Sequence, residues 1–204
     1  IVEISKLNLD GNKWLVLPKD GALFYPKAQI ASAIASNFPE LDSVKMKAGF
    51  NGILYIEVKE KTEEFVWCSN ENACYSMDSS GFIFQRSPLE GRHQGGLVFK
   101  GLIGGEPIGK KFGGDGMVTS LAAFANKLEL LGIQISEINV VNMSLAQGKT
   151  SLGFVIIFNP IEAGDEIFFD NLKTFIIDLK AKNSNALPPL QYIDARYGNK
   201  IFYK

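Results

Sequence analysis

The sequence predicts an α+β protein of two domains, a small one over residues 1–61 and a larger one over residues 62–204. Apolar residues recur at helical spacing in only a few segments, and period-two alternation marks much of the rest. Near residue 61 the pattern changes, from helices with two long strands to short strands that follow one another closely. A chain of 204 residues has room for two such domains.

The first domain is predicted to run strand, helical region, helix, strand, strand. Its clearest element is a helix opened by Pro26, since proline suits the first helical position. Ile30, Ile34 and Phe38 then repeat at i, i+4 and i+8, which places them on one helical face. The other predicted elements are a strand at 3–9, a short helix or loop at 14–25, and strands at 43–48 and 54–58 joined by a turn at Asn51-Gly52.

The second domain is predicted to be a mixed, mostly antiparallel β-sheet covered by helices. One helix begins at Thr119-Ser120, whose hydroxyls are cap candidates, and ends at Gly132. Another spans residues 171–180. Gly-rich stretches at 86–96 and 101–118 are expected to be surface loops. Strands are predicted at 65–68, 74–77, 82–84, 97–99, 135–141, 152–158, 190–197 and 200–203.

Charge and hydropathy exclude several classes of protein. The net charge of −1 argues against nucleic-acid binding, which favours an excess of Lys and Arg. No apolar run reaches the ~20 residues that span a bilayer, and no basic stretch precedes an apolar segment as in a signal peptide. Because the chain begins at Ile1 without Met, we expect that a preceding segment, a membrane anchor or signal, has been removed.

The two cysteines, Cys68 and Cys74, flank a polar Ser-Asn-Glu-Asn centre that is typical of a tight turn between two strand ends. A disulfide across this turn would stabilise the fold by roughly 2–3 kcal/mol and would indicate an oxidising compartment outside the cytoplasm. The alternative is a pair of free, half-buried thiols. A metal site is not expected, because His93 is the one histidine and no other cysteine exists.

No catalytic set is apparent, so we expect a protein that is not an enzyme and needs no cofactor. His93 lies in a polar loop, where a lone histidine is typically solvated. Residues 104–110 fit the first part of a phosphate-binding loop, Gly-x4-Gly-Lys, but Lys111 stands where Ser or Thr would hold Mg²⁺. The Gly-rich residues that follow cannot form the helix whose N-terminus would bind phosphate. Asp165-Glu166 is interpreted as solvated surface.

Asp194 and Arg196 form the most informative charged pair. They lie two residues apart in a predicted strand, so both side chains point to the same face. One interpretation is an exposed ion pair that contributes under ~1 kcal/mol. The other is that this face belongs to a binding edge, since the C-terminal segment 190–203 could expose unpaired backbone groups to a partner strand. Tyr197, Phe202 and Tyr203 would then supply aromatic anchors, unless they pack on the domain's own core.

Four strings of the sequence, in this order, resemble the bacterial cell-division protein family known as FtsQ in some lineages and DivIB in others. The first runs from Asn37 to Val44 around Phe-Pro, and the second is Ile-Glu-Val-Lys-Glu-Lys at 56–61. The third, at 75–84, is similar to Tyr-x-x-Asp-x-x-Gly-x-x-Phe. The fourth is Tyr-Ile-Asp-Ala-Arg-Tyr at 192–197.

The resemblance implies a POTRA domain (β-α-α-β-β) at 1–61, followed by an FtsQ-type β domain at 62–204. It also implies a non-enzymatic ectodomain, tethered through a removed N-terminal membrane helix, on the extracytoplasmic face of the cell membrane at the division septum. Its implied partners are FtsB/DivIC-like and FtsL-like division proteins, with no nucleic acid and no small-molecule substrate.

The resemblance places partner binding on the last strands of the β domain. The residues that correspond are Asp194, Arg196, Tyr197, Gly198, Asn199, Lys200, Ile201, Phe202 and Tyr203. Two alternatives stay open. A POTRA-bearing transport or outer-membrane assembly factor would carry repeated units or a barrel-length alternation, and neither follows here. An extracytoplasmic enzyme or ligand-binding protein would need a polar concave site, for example between the Gly-rich loops at 91–116.

Overall fold

A computed structural model describes residues 26–48, 54–69, 73–87 and 96–204. The chain divides into two compact units, residues 1–62 and residues 63–204, one residue from the predicted boundary. The protein is α+β. Its described residues form three α-helices, a small two-stranded sheet and a large mixed sheet of nine strands.

The described part of the first unit is one helix followed by an antiparallel strand pair. Helix α1 spans Lys27–Asn37, and strands β1 (Leu41–Ala48) and β2 (Leu54–Glu60) pair with each other. Ile30 and Ile34 are fully buried on one face of α1, as their spacing predicts. Pro26 is the N-cap residue, one position before the predicted one. The predicted strand 3–9, the region 14–25 and the turn at Asn51-Gly52 lie outside the described residues.

The nine strands of the second unit are mostly antiparallel. They are β3 (Phe65–Cys68), β4 (Cys74–Met77), β5 (Ile83–Arg86), β6 (Val98–Gly101), β7 (Ile135–Asn142), β8 (Leu145–Thr150), β9 (Val155–Phe158), β10 (Tyr192–Tyr197) and β11 (Lys200–Tyr203). Their order across the sheet is β11-β10-β9-β8-β7-β6-β3-β4-β5. The pairs β3–β6, β6–β7 and β9–β10 are parallel, and the other five are antiparallel.

The main core lies between one face of this sheet and two helices, α2 (Met117–Glu129) and α3 (Glu166–Lys182). Phe124 of α2 packs on Phe158 of β9, with ring centroids 4.7 Å apart, and also contacts Phe168 of α3. Burial of such aromatic side chains is a large stabilising term. Because successive side chains of a strand point to opposite faces, every second residue of each strand lies on the face away from α2 and α3.

Both helices of the second unit begin earlier than predicted. Helix α2 begins at Met117 behind Gly116, which has φ +75°, and the Thr119 hydroxyl donates to the Gly116 carbonyl instead of capping the helix. Helix α3 begins at Glu166 because the Asp165 carboxylate accepts a hydrogen bond from the Ile167 amide, 2.8 Å away. Asp165 is exposed, as predicted, and it also caps α3, a role that the sequence interpretation did not assign to it.

The strand predicted at 152–158 is present as the shorter β9, Val155–Phe158, whereas the strand before it, β8, was not predicted. Strand β8 pairs with β7 through a tight hairpin and with β9 on its other side. Its inward positions carry Ala146 and Gly148, while Gln147 and Lys149 are exposed. A Cβ atom at Gly148 would lie 3.1 Å from Ile135 Cδ1, so the position has little room for a larger side chain. Strand β8 therefore lacks the bulky alternation that marks a strand in sequence.

Candidate partner-binding edge

Strand β11 lies at one end of the nine-stranded sheet. It pairs antiparallel with β10, and Tyr192 and Lys204 exchange both backbone hydrogen bonds, at 3.3 and 3.2 Å. In an antiparallel pair the bonded residues alternate, so the N–H and C=O groups of Ile201 and Tyr203 point away from β10. Strand β11 thus presents an edge that another strand can extend.

At the opposite end of the sheet, the start of β5 is paired with another segment of the chain. The amide of Ile83 in β5 donates to the Lys110 carbonyl at 2.9 Å, and the Gly109 amide donates to the Ile83 carbonyl at 2.8 Å. Phe82 also forms a bridge with Lys111. The segment 101–118, predicted to be a surface loop, therefore covers the start of this edge and inserts the fully buried Phe112 into the core. Among the described residues, no segment pairs with the outer side of β11.

The face of the sheet away from α2 and α3 forms a hollow beside β11. Its volume is about 810 Å³, and it is lined by Tyr192, Asp194, Tyr197, Asn199, Lys200 and Phe202. The rings of Tyr197 and Phe202 meet edge to face with centroids 5.4 Å apart, and each side chain is about half exposed, at 53% and 52%. A register shift in β10 between Asp194 and Tyr197 brings Tyr197 opposite Lys200 on this face.

Asp194, which lines the hollow, is paired with Arg196. Arg196 donates from Nε to Asp194 Oδ1 at 2.9 Å and from Nη2 to Oδ2 at 2.7 Å, a bidentate geometry. Asp194 is only 8% exposed, whereas the Arg196 side chain is 31% exposed, so the pair is partly buried and not fully exposed as in the first interpretation. The hydrogen bond from Arg196 lowers the pKa of Asp194 below its ordinary value, and the same bond raises the pKa of Arg196. The guanidinium also lies 5.3 Å from the Tyr197 ring centroid.

The other face of β11 turns toward α3. Tyr203 packs on Phe175 with ring centroids 5.3 Å apart, and Ile201 packs against the main core. Tyr203 nevertheless stays 51% exposed. The strand is therefore held by its own domain on one face, while its outer backbone groups and the side chains of the other face remain accessible.

The predicted partner-binding residues fall into two structural groups. Lys200, Ile201, Phe202 and Tyr203 form β11, and Gly198 and Asn199 form the turn before it, with Gly198 at φ +65°. Asp194, Arg196 and Tyr197 lie on β10, which is paired on both sides, with β9 and β11. The expectation that the whole segment 190–203 forms an open ladder is thus too broad. Strand β10 can contribute side chains, whereas β11 contributes backbone groups as well.

The two cysteines form a disulfide in the structure. Cys68 and Cys74 lie opposite each other in the β3–β4 hairpin, with their Cα atoms 4.1 Å apart and both side chains buried. His93 lies outside the described residues. Where the chain is described, no group of three or more His, Cys, Asp and Glu side chains is placed to hold a metal ion. Nor does any helix of that part have the length and apolar character to cross a membrane.

Replacing Asp194 by Asn is expected to destabilise the domain by about 1–3 kcal/mol at pH 7, because the partly exposed Arg196 guanidinium loses its charged acceptor. Since the folded-state pKa of Asp194 is lowered, its contribution is complete above the ordinary aspartate pKa of about 3.9 and is lost as the pH falls through the folded value. Chemical denaturation at pH 7 and pH 3 measures the difference, which should shrink at pH 3.

Asp178→Asn is the matched control for that variant. Asp178 forms a 2.6 Å ion pair with Lys182, but both side chains are well exposed, and such pairs contribute under ~1 kcal/mol. Equal losses of stability in the two variants would contradict a special role for the Asp194–Arg196 pair.

Comparisons with known proteins do not assign the chain to a family. No protein-family model matches the sequence. No curated protein matches it either.

Proposed function

We propose that this chain is a non-enzymatic, extracytoplasmic scaffold of the FtsQ/DivIB type, which binds an FtsB/DivIC-like coiled-coil partner of the bacterial division complex by strand addition at β11. The observation that carries the proposal is the open edge of β11. The backbone groups of Ile201 and Tyr203 point away from the sheet. A half-exposed aromatic pair, Tyr197 and Phe202, lies beside that edge.

Strand addition divides affinity and specificity between two sets of groups. Backbone hydrogen bonds along the new strand supply affinity, and pockets for alternate side chains supply selectivity. The hollow between Tyr192, Tyr197 and Phe202 is such a pocket, and it opens next to the free edge. Exposed aromatic side chains of this kind are typical hot spots of protein interfaces. Both rings are half exposed in the free protein, so a bound partner can still bury their remaining surface.

Two further features support the rest of the proposal. The helix followed by an antiparallel strand pair over 26–60 is compatible with the last three elements of a POTRA domain, which we propose for residues 1–61. The Cys68–Cys74 disulfide is typical of proteins outside the cytoplasm, where such bonds persist. The FtsL-like protein would join through its pairing with the FtsB/DivIC-like partner, and the tether would be an N-terminal membrane helix.

A binding experiment with a charged substitution tests this function. Phe202→Asp places a carboxylate in the hollow, and we expect it to weaken binding of the purified extracytoplasmic part of the co-encoded small coiled-coil division protein at least about 10-fold. Tyr197→Ala should weaken it in the same direction. Ile177→Asp is the control, because Ile177 is 50% exposed on α3, much as Phe202 is 52% exposed on β11.

Isothermal titration calorimetry gives the affinities, and thermal unfolding shows that each variant is folded. The proposal is contradicted if the wild-type chain does not bind the coiled-coil protein, or if Phe202→Asp and Ile177→Asp bind it equally well.

A further inference from the structure

The open edge presents a regular pattern of side chains on the face of the sheet away from α2 and α3. Phe202 lies opposite Asp194 on that face, and both line the hollow. Side chains at i and i+2 of a strand share a face, so Lys200 and Lys204 lie on either side of Phe202. All three are exposed. The edge thus offers a cation, an aromatic ring and a second cation in a row.

Within the described part of the protein, no acidic side chain pairs with these two lysines. Asp194, which lines the same hollow as Lys200, is already paired with Arg196. The exposed edge is therefore positively charged, although the whole chain has a net charge of −1.

The same pattern disfavours pairing between two copies of β11. In an antiparallel pair, the register that joins Ile201 of each copy to Tyr203 of the other uses both outward-pointing residues. That register places Lys200 of one copy opposite Lys204 of the other, and directly opposed like charges destabilise a sheet. Lysines on an edge strand are a common protection against such self-pairing. A partner strand with carboxylates in the opposing positions meets no such barrier.

We propose that the strand that completes β11 carries two carboxylate side chains four residues apart, facing Lys200 and Lys204, with an apolar side chain between them that faces Phe202. This inference rests on the proposed function, because it specifies the chemistry of the strand added there. The two lysines select the partner by charge, whereas the backbone of Ile201 and Tyr203 supplies sequence-independent hydrogen bonds.

The probe is the same purified extracytoplasmic part of the co-encoded coiled-coil division protein. The double variant Lys200→Gln/Lys204→Gln removes two opposite-charge cross-strand pairs. We expect it to bind the probe roughly 2- to 30-fold more weakly than the wild type. The charge reversal Lys200→Glu/Lys204→Glu is expected to lose more. Raising the salt from 0.05 to 0.5 M should weaken wild-type binding more than binding of the Gln variant, because exposed pairs are screened.

Lys149→Gln is the matched control. Lys149 is exposed on the same sheet, but it lies on β8, three strands away from β11. At about 4.8 Å per strand this separation exceeds the Debye length of ~8–10 Å, so its loss should leave the affinity unchanged.

The outcomes separate the two proposals. If the wild type binds, and Phe202→Asp weakens binding while both lysine double variants bind normally, strand addition stands and the charge pattern is wrong. The charge pattern is equally wrong if Lys149→Gln loses as much affinity as the Lys200 and Lys204 changes. If the wild type does not bind, the proposed function fails, and the inference about its partner fails with it.

Discussion

Tyr203→Pro is expected to lose partner binding by roughly 100-fold or more, while the domain itself stays folded. The Tyr203 amide points away from β10, so proline removes a donor that β11 does not use within its own sheet. Proline is tolerated at edge positions whose N–H faces solvent. In the complex, however, it removes one backbone hydrogen bond and places its ring where the added strand must approach.

Tyr203→Ala separates the backbone from the ring. Alanine keeps the amide but removes the aromatic contact with Phe175, so its effect measures the side chain alone. We expect Tyr203→Pro to bind at least about 10-fold more weakly than Tyr203→Ala, which corresponds to about 1.4 kcal/mol. Calorimetric titration of both variants with the coiled-coil protein measures the difference. If the two variants bind equally, the amide of Tyr203 does not take part.

Gly101→Ala is expected to cause the largest loss of stability, about 3 kcal/mol or more. Gly101 ends β6 with φ +84°, and a Cβ atom there would lie 2.1 Å from the Val140 carbonyl oxygen of β7. The Gly101 carbonyl also accepts hydrogen bonds from Trp67 Nε1 at 3.0 Å and from the Ile103 amide at 2.7 Å. Any backbone shift that relieves the clash therefore disturbs a buried tryptophan.

Gly109→Ala is the control for this change. Gly109 has the same φ of +84°, but nothing lies within 4 Å of its would-be Cβ atom, so only the cost of the left-handed conformation, about 1 kcal/mol, applies. Urea denaturation of the two variants measures both losses. Similar losses of stability in the two variants would show that the close approach of β6 and β7 is not the reason why Gly101 tolerates no side chain.

Local patterns predicted the elements that carry bulky, periodic side chains. Ile30 and Ile34 predicted the buried face of α1, and the alternation over 54–58 predicted β2. Strand β8 was missed because the inward positions hold the small residues Ala146 and Gly148. The start of α3 was missed because a capping aspartate resembles a surface aspartate until its hydrogen bond is seen.

The order of strands could not be predicted from local patterns. Strand β6 lies between β3 and β7, and β10 lies beside β9, through parallel pairs that join segments distant in sequence. For the same reason, sequence alone did not distinguish β10, which is paired on both sides, from the open β11. The residues of the candidate edge could be predicted from the sequence. Which of them offer backbone groups to a partner and which offer only side chains depends on the order of the strands in the sheet.

Hydrogen exchange of the β11 amides, followed by NMR with and without the coiled-coil protein, tests strand addition most directly. In the free protein, the outward amides of Ile201 and Tyr203 should exchange quickly, whereas the Phe202 amide, which faces β10, should be protected. In the complex, all three should be protected. Tight binding that leaves Ile201 and Tyr203 exchanging as fast as in the free protein would contradict the addition of a strand at β11.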